Sequence, residues 1–340
     1  MAVTFSNHGG LNDENWKVID TVLSSVMQDV DTEKNKDDEL VKQLFAVKTS
    51  KKFGEKKGSM TEFGNFSIVE EGDQAVQDDL QMGFSKLVEH EQMLKGFSCT
   101  RQAKDDGEID IMKTAAANFI RSYKRTRAQF GTDALCCEGS TFTFGGKTLD
   151  RTTGDGKALF ATDHPFKKTS GSQSNVFTNA IWTNVGSGGT ADSKMLMTLA
   201  NIGRNFKNQS GNVMGYTFDT IIIPSNCPEM EDGIKRIIRS DGLVGSDYND
   251  INTQKGLWKI IVNHRWQAAS GTNPYILMSS EAQRDMENSV FYDRVPLDVS
   301  NEIDLNTRNL RWSGYTRMSA GFFNWNHVIM GGAQNGTSLS

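Results

Sequence analysis

Residues 105–130 read DDGEIDIMKTAAANFIRSYKRTRAQF, and the rest of the chain is organised around this stretch. Ile109, Met112, Ala115, Ala116, Phe119, Ile120, Tyr123 and Phe130 recur at three- and four-residue steps. That spacing predicts one uninterrupted helix with a single apolar stripe. Asp105 followed by Glu108 resembles a capping box, with Asp in place of Ser or Thr. Lys124, Arg125 and Arg127 put positive charge in the last turns, where the helix dipole favours it, and Gly131 suits the position just past the end. At 1.5 Å per residue the element spans roughly 35 Å, longer than most globular helices. Nothing around it reads as a catalytic site. It reads as a beam.

A chain of 340 residues has length for two or three domains and a real core. The net charge of −5 is mild and of the wrong sign for a tight nucleic-acid grip. No apolar run approaches the length of a membrane span, and no charged-then-apolar leader follows Met1, so neither membrane nor secretion is expected. Cys99, Cys136, Cys137 and Cys227 form no C-x-x-C pair, which points away from a disulfide framework or a zinc site and toward a reducing compartment. Gly is abundant at 32 residues and Pro scarce at 5, while apolar residues make up only 37%. Such a chain has many tight turns. It suits a subunit whose arms and loops gain burial from neighbours.

Taken in order, residues 1–10 carry no pattern and read as a loose tip. Residues 12–45 are helix-compatible, with Trp16, Ile19, Val22, Leu23 and Val26 on one stripe and Leu40, Val41, Leu44 and Phe45 on another. Between the stripes, residues 29–39 are almost all charged, so the segment is expected to be an arm lying on another surface. Residues 47–75 read as an extended hairpin, with Phe53, Phe63, Phe66, Ile68 and Val69 spaced by glycines and a lysine cluster near the tip. An isolated two-stranded ribbon is marginal in water, so it should lie against something. Lys51, Lys52, Phe53, Lys56 and Lys57 are the candidate inter-subunit contacts, a solvated face being the bland alternative for the lysines. Residues 76–98 read as an amphipathic helix through Val76, Leu80, Phe84, Leu87, Val88 and Leu94.

Beyond the beam, residues 141–149 predict a strand pair around a Gly145-Gly146 turn. Residues 167–189 are polar loop. Residues 192–207 form a second amphipathic helix, and residues 216–224 a strand. Residues 228–239 form a helix with Pro228 at its first position. Residues 257–264 and 275–278 read as strands. From Leu310 the chain alternates strictly through Trp312, Gly314, Thr316, Met318 and Ala320, and the rhythm continues through Phe323, Trp325, His327 and Ile329. A closing strand pair that packs on the beam is expected.

This order, with LFATDHPF at 159–166 and NLRWSGYTRMSAGFFNWNHVIMGG at 309–332, resembles the major capsid proteins of tailed phages, the Hong Kong 97-like fold, in the branch related to the Mu-like head subunit. The resemblance covers nearly the whole chain. It implies an α+β fold with an N-terminal arm (1–46), an extended loop (47–75), a peripheral domain (76–185 and 300–340, spine helix about 106–130) and an axial domain (186–299). It also implies a homo-oligomer of hexamers and pentamers, the shell of a virion that encloses double-stranded DNA without reading its sequence. Scaffolding, portal and decoration proteins are the implied partners. Some relatives carry a cleaved scaffolding segment before the arm; none is seen here, so scaffolding is expected from a separate chain, unless the numbering is that of an already cleaved, mature chain.

Competing chemistry is weak. Gly146-Lys147-Thr148 ends like a phosphate loop, but Thr141 stands where its first glycine belongs. Residues 29–33 open like a calcium loop, then place Lys34 at the turn glycine and Leu40 at the bidentate Glu. His8, His90, His164, His264 and His327 are scattered, and no nucleophile sits in a G-x-S-x-G elbow. No catalytic, cofactor or metal residue is assigned, and an enzyme is not expected. The alternatives weighed are an encapsulin-like compartment shell and a soluble cytoplasmic enzyme with an unrecognised site.

Overall fold

The computed structural model describes residues 4–5, 14–61, 63, 66, 68–74, 77, 82–178, 180, 182, 189–243, 250–269, 272–304 and 306–338. Most of the tip expected at 1–10, and Val76 and Leu80 of the helix expected at 76–98, lie outside the described residues. In chain order the elements are β1 (Thr4–Phe5), α1 (Glu14–Thr32), α2 (Lys36–Leu44), β2 (Ala46–Thr49), β3 (Gly54–Met60), β4 (Met82–Glu89) and β5 (Glu91–Cys99). Then follow α3 (Arg101–Asp105), α4 (Ile109–Cys136), β6 (Thr141–Phe144), β7 (Lys147–Asp150), β8 (His164–Pro165), β9 (Ser172–Gln173) and β10 (Val176–Phe177). The remainder comprises α5 (Gly189–Arg204), β11 (Thr220–Pro224), α6 (Pro228–Arg239), β12 (Lys259–Asn263), β13 (Tyr275–Met278), α7 (Ser280–Met286), β14 (Ser289–Ile303), β15 (Leu310–Phe322) and β16 (Val328–Gly331). Met1–Glu55, Val88–Gly131 and Val290–Ala320 form one unit, and Lys56–Leu87, Thr132–Ser289 and Gly321–Ser340 the other.

The first unit is built on the long helix. Met112, Ala116, Phe119 and Ile120 of α4 are buried with Trp16, Leu23 and Met27 of α1 and with Leu297, Val299, Leu310 and Trp312 of the sheet. That sheet runs β1-β14-β15-β5, with β2 also pairing β14. Both β1 and β2 run parallel to β14, at Asp298–Val299 and at Val290 to Asp293 respectively. Pro296 falls between the two patches, where its missing N–H costs no ladder bond on that side. The strand itself escaped the sequence reading, because Pro296 and the Asp293-Arg294 pair interrupt its apolar run.

Helix α4 has 28 residues, about 42 Å at the standard rise. It starts later and ends later than expected. Asp105 closes the short α3, whose N-cap is Thr100, and Gly107 at φ +75° separates the two helices, so the predicted capping box does not form. At the other end Gly131 is not a stop. A Cβ there would lie 3.2 Å from the Phe45 ring, so the glycine lets α2's end approach the helix.

Two further expectations change. Residues 14–45 are not an arm without a core: Trp16 is 1% exposed and Leu40, Val41, Leu44 and Phe45 are buried within their own unit. Residues 82–99 are strands rather than helix, because β5 pairs residue for residue with β15, from Cys99 opposite Leu310 to Glu91 opposite Met318. The helical spacing of Leu87 and Leu94 is fortuitous; both are exposed. A remote partner strand outweighed local periodicity.

The second unit carries a sheet ordered β10-β16-β13-β11-β12. Strands β11 and β12 are parallel and joined through α6, the kind of crossover connection a parallel pair needs. The whole of β11 is buried, which fits its unbroken Ile221-Ile222-Ile223 run. Leu196 and Leu199 of α5 and Met230, Ile234 and Ile237 of α6 cover it with Trp258, Tyr275 and Ile329. Pro228 opens α6 behind Cys227 as expected. Gly145 and Gly146 turn β6 into β7 with φ of +57° and +81°. The closing pair is not a pair: β15 belongs to the first unit's sheet and β16 to this one. A turn in which Val328 N–H donates to Trp325 O interrupts the alternation between them.

Candidate assembly surface

The extended loop is the surface to which the sequence pointed. Its legs are β3 and β4, which form a two-stranded sheet of their own. The predicted hairpin of 47–75 is therefore shifted: β2 belongs to the first unit's sheet, and the descending leg lies beyond residue 81. Within the second unit the β4 leg is held at its base. Lys86 pairs with Asp150 and donates to Thr152, and Lys167 lies 5.3 Å over the Phe84 ring. Gly154 sits so close beneath that a Cβ would meet Phe84 Cβ at 3.4 Å and Phe323 O at 2.8 Å.

Above this base the apolar side chains find little cover. Phe66 and Ile68 are fully exposed, at 106% and 102%, and Phe63, Val69, Met82 and Leu87 are exposed as well. Surface residues of this size scatter singly on monomers. A run of them in the segment joining two strands marks an interaction site.

The lysines lie elsewhere than expected. Lys51, Lys52 and Phe53 precede β3, at the start of the ascending leg rather than its tip. Lys52 pairs weakly with Glu55 at 3.5 Å, and its carbonyl accepts from Arg294 Nε at 3.0 Å, while Phe53 is exposed. Lys56 and Lys57 lie inside β3. Lys56 is exposed, and Lys57 is 3.9 Å from Glu287 and 5.3 Å from the Phe323 ring centroid. The five candidates do not form one cluster. The apolar run at 63–69, read in the sequence only as hairpin spacing, is the stronger feature.

A few charged side chains are instead buried and fully engaged. Lys124 and Arg127 do not serve the end of their own helix, because α4 continues past them. Lys124 Nζ donates to the carbonyls of Val30, Asp31 and Glu33 at 3.0, 2.7 and 3.1 Å, closing the end of α1. Arg127 donates to both oxygens of Asp293, at 3.1 and 2.6 Å, and to Asp38 at 3.0 Å. In the second unit Arg151 fills the corresponding role for α4, donating to the carbonyls of Ala134, Leu135 and Gly139. Burial lowers its pKa to about 10, so it stays charged at neutral pH. Buried histidines are likewise committed: His164 Nδ1 pairs with Asp155 at 2.7 Å, and His327 Nε2 with Ser289. Among the described residues no His, Cys, Asp and Glu cluster could hold a metal ion, and no helix is long and apolar enough to cross a membrane.

A family model described as phage capsid protein matches residues 95–330, which takes in α4, β14 and β15 of the first unit's sheet and nearly all of the second unit's sheet, but not β1 or β2. The chain belongs to the phage capsid protein family. Solved capsids agree in fold. The capsid of a native GTA particle superposes with a TM-score of 0.55 at 11% identity, covering 88% of this chain and 90% of that chain. The capsid of Myoviridae phage XM1 gives a TM-score of 0.52 at 11% identity, over 85% of this chain and 90% of that chain. No curated protein matches the chain in sequence. The phage capsid protein thus has the Hong Kong 97-like fold of tailed-phage major capsid proteins, and the family match does not single out the Mu-like branch.

Proposed function

We propose that this capsid protein closes the virion shell as hexamers and pentamers, with the loop between residues 54 and 89 clasped by a neighbouring copy. The observation that carries the reading is the exposed run of Phe63, Phe66, Ile68 and Val69, between β3 and β4, with Met82 at the start of β4, on a loop whose two strands alone cannot stabilise it. Each such contact is weak, but a subunit held by several neighbours gains effective concentration at every added one. Weak contacts also let misplaced subunits dissociate before closure. The domain names follow from the same reading: α4 and the first unit's sheet would serve the peripheral role, and the sheet built on β11 the axial role. Lys51, Lys52, Phe53, Lys56 and Lys57 stand at the foot of the loop, where they would edge the contact rather than form its centre.

The net charge of −5 suits a container that encloses double-stranded DNA without gripping it. Scaffolding and portal proteins, and possible decoration proteins, are the partners this role requires, with assembly in the host cytoplasm. The test is the double variant Phe66→Ser, Ile68→Ser. Folded, soluble subunits without closed shells in negative-stain micrographs are expected, because neither side chain supports its own fold. Shells of native size and yield would overturn the reading.

A further inference from the structure

The chain leaves the first unit after Glu55 and returns to it at Val88; Ser50, after β2, and His90, between β4 and β5, lie within the first unit close to those two crossings. These two residues are hydrogen-bonded to each other, with His90 Nε2 3.0 Å from Ser50 Oγ. The other ring nitrogen, Nδ1, lies 2.9 Å from Ser319 Oγ in β15. All three residues are buried. Ser50 is also tied to β14, its N–H donating to Asp293 O at 3.3 Å.

The proton positions in this chain follow from its far end. The Ser50 hydroxyl donates to Glu55 Oε1 at 2.8 Å, so its oxygen accepts from His90 Nε2–H. Nδ1 is left to accept from the Ser319 hydroxyl. One neutral tautomer satisfies every bond.

A second ring proton would upset this arrangement in two ways. Nδ1 would become a donor and turn the Ser319 hydroxyl away from the only ring acceptor it has. Positive charge would also enter a buried site beside Arg317, which donates to His90 O at 3.3 Å, and near Arg294 of β14. Tyr292 packs edge-on at 5.8 Å and supplies no charge. Glu55 opposes the two arginines but is already engaged by Ser50 and Lys52, and Glu89 and Glu91 flank the histidine in the chain. Burial first, then Arg317, hold the imidazole below its ordinary value.

We propose that Ser50, His90 and Ser319 form a latch that pins both ends of the extended loop to the first unit's sheet, and that protonation of His90 opens it. The latch belongs to the single subunit; its bearing on shell formation rests on the assembly reading above. It is therefore tested on the unassembled full chain, by amide hydrogen exchange at about pH 7.5 and about pH 5.5, corrected for intrinsic rates. Residues 50–55 and 88–91 of the native chain should exchange several-fold faster at the lower pH, up to about tenfold, the ceiling set by an opened imidazole of ordinary pKa. In His90→Gln that pH response should vanish. Ser50→Ala and Ser319→Ala, each removing one strut and sparing the ring, should exchange fast at both pH values. Equal acceleration across the whole chain, an unchanged pH response in His90→Gln, or slow exchange in both serine variants would overturn the latch. Whether shells form does not enter this readout, so loss of the assembly reading and loss of the latch are separable.

Discussion

Asp293 holds the Arg127 guanidinium through two hydrogen bonds, of 3.1 and 2.6 Å, in a place where almost no water reaches either group. Asp38 supplies the third bond from α2. Such a network contributes little net stability over an apolar core, yet breaking one side of it is expensive, because the survivor stays buried and uncompensated. Asp293→Asn keeps the shape and removes the charge. It should destabilise the subunit by about 3–5 kcal/mol, read as a lower urea midpoint of the unassembled chain. A change under about 1 kcal/mol would mean that Asp38 alone compensates Arg127. The sequence shows Arg127 plainly but not its partner. Residues 127 and 293 are far apart in the chain, and the local reading gave the arginine to the helix dipole.

At the level of elements, glycines decide how closely α4 is covered. Gly314 of β15 faces the helix, and a Cβ there would lie 2.6 Å from Phe119 Cζ and 2.9 Å from Leu297 Cδ1. Neither neighbour has room to retreat, since both belong to the buried cluster with Trp16 and Trp312. Gly314→Ala should therefore cost about 1–3 kcal/mol in chemical denaturation, despite the usual gain in strand order from replacing a glycine. An unchanged or raised midpoint would show that β15 can shift away from the helix. Gly131 illustrates the same point within α4, where sequence statistics favour a terminus and packing against Phe45 puts the residue in the interior. Both glycines were visible in the sequence; what they were small for was not.

For the molecule as a whole, the question is which parts complete their burial alone. Helix α1 does: Trp16, Leu23 and Met27 join the core of their own unit, so the segment is part of the subunit and not a strap awaiting a neighbour. Trp16→Ala should lower subunit stability by about 3–5 kcal/mol, as for other large core truncations, in calorimetry on the unassembled chain. If instead only shell yield fell and the subunit melted unchanged, α1 would owe its burial to another copy. The extended loop is the opposite case. Its exposed Phe66 and Ile68 have no such core among the described residues, which is why the assembly reading rests there and not on the leading helices.

From the sequence alone came the long amphipathic helix, the bounds of α6 and β13, the glycine turn between β6 and β7, the closing alternation of β15 and the capsid-like order of parts. Each of these depends on contacts within a few residues or on a period repeated many times. Only the tertiary structure decided that residues 82–99 are strands, that β14 exists, that β16 joins a different sheet from β15, and that Ser50, His90 and Ser319 meet. The reason is where the hydrogen bonds go. A helix satisfies its backbone four residues away and so advertises itself locally, whereas a strand, or a buried polar chain, is defined by partners that folding alone brings near.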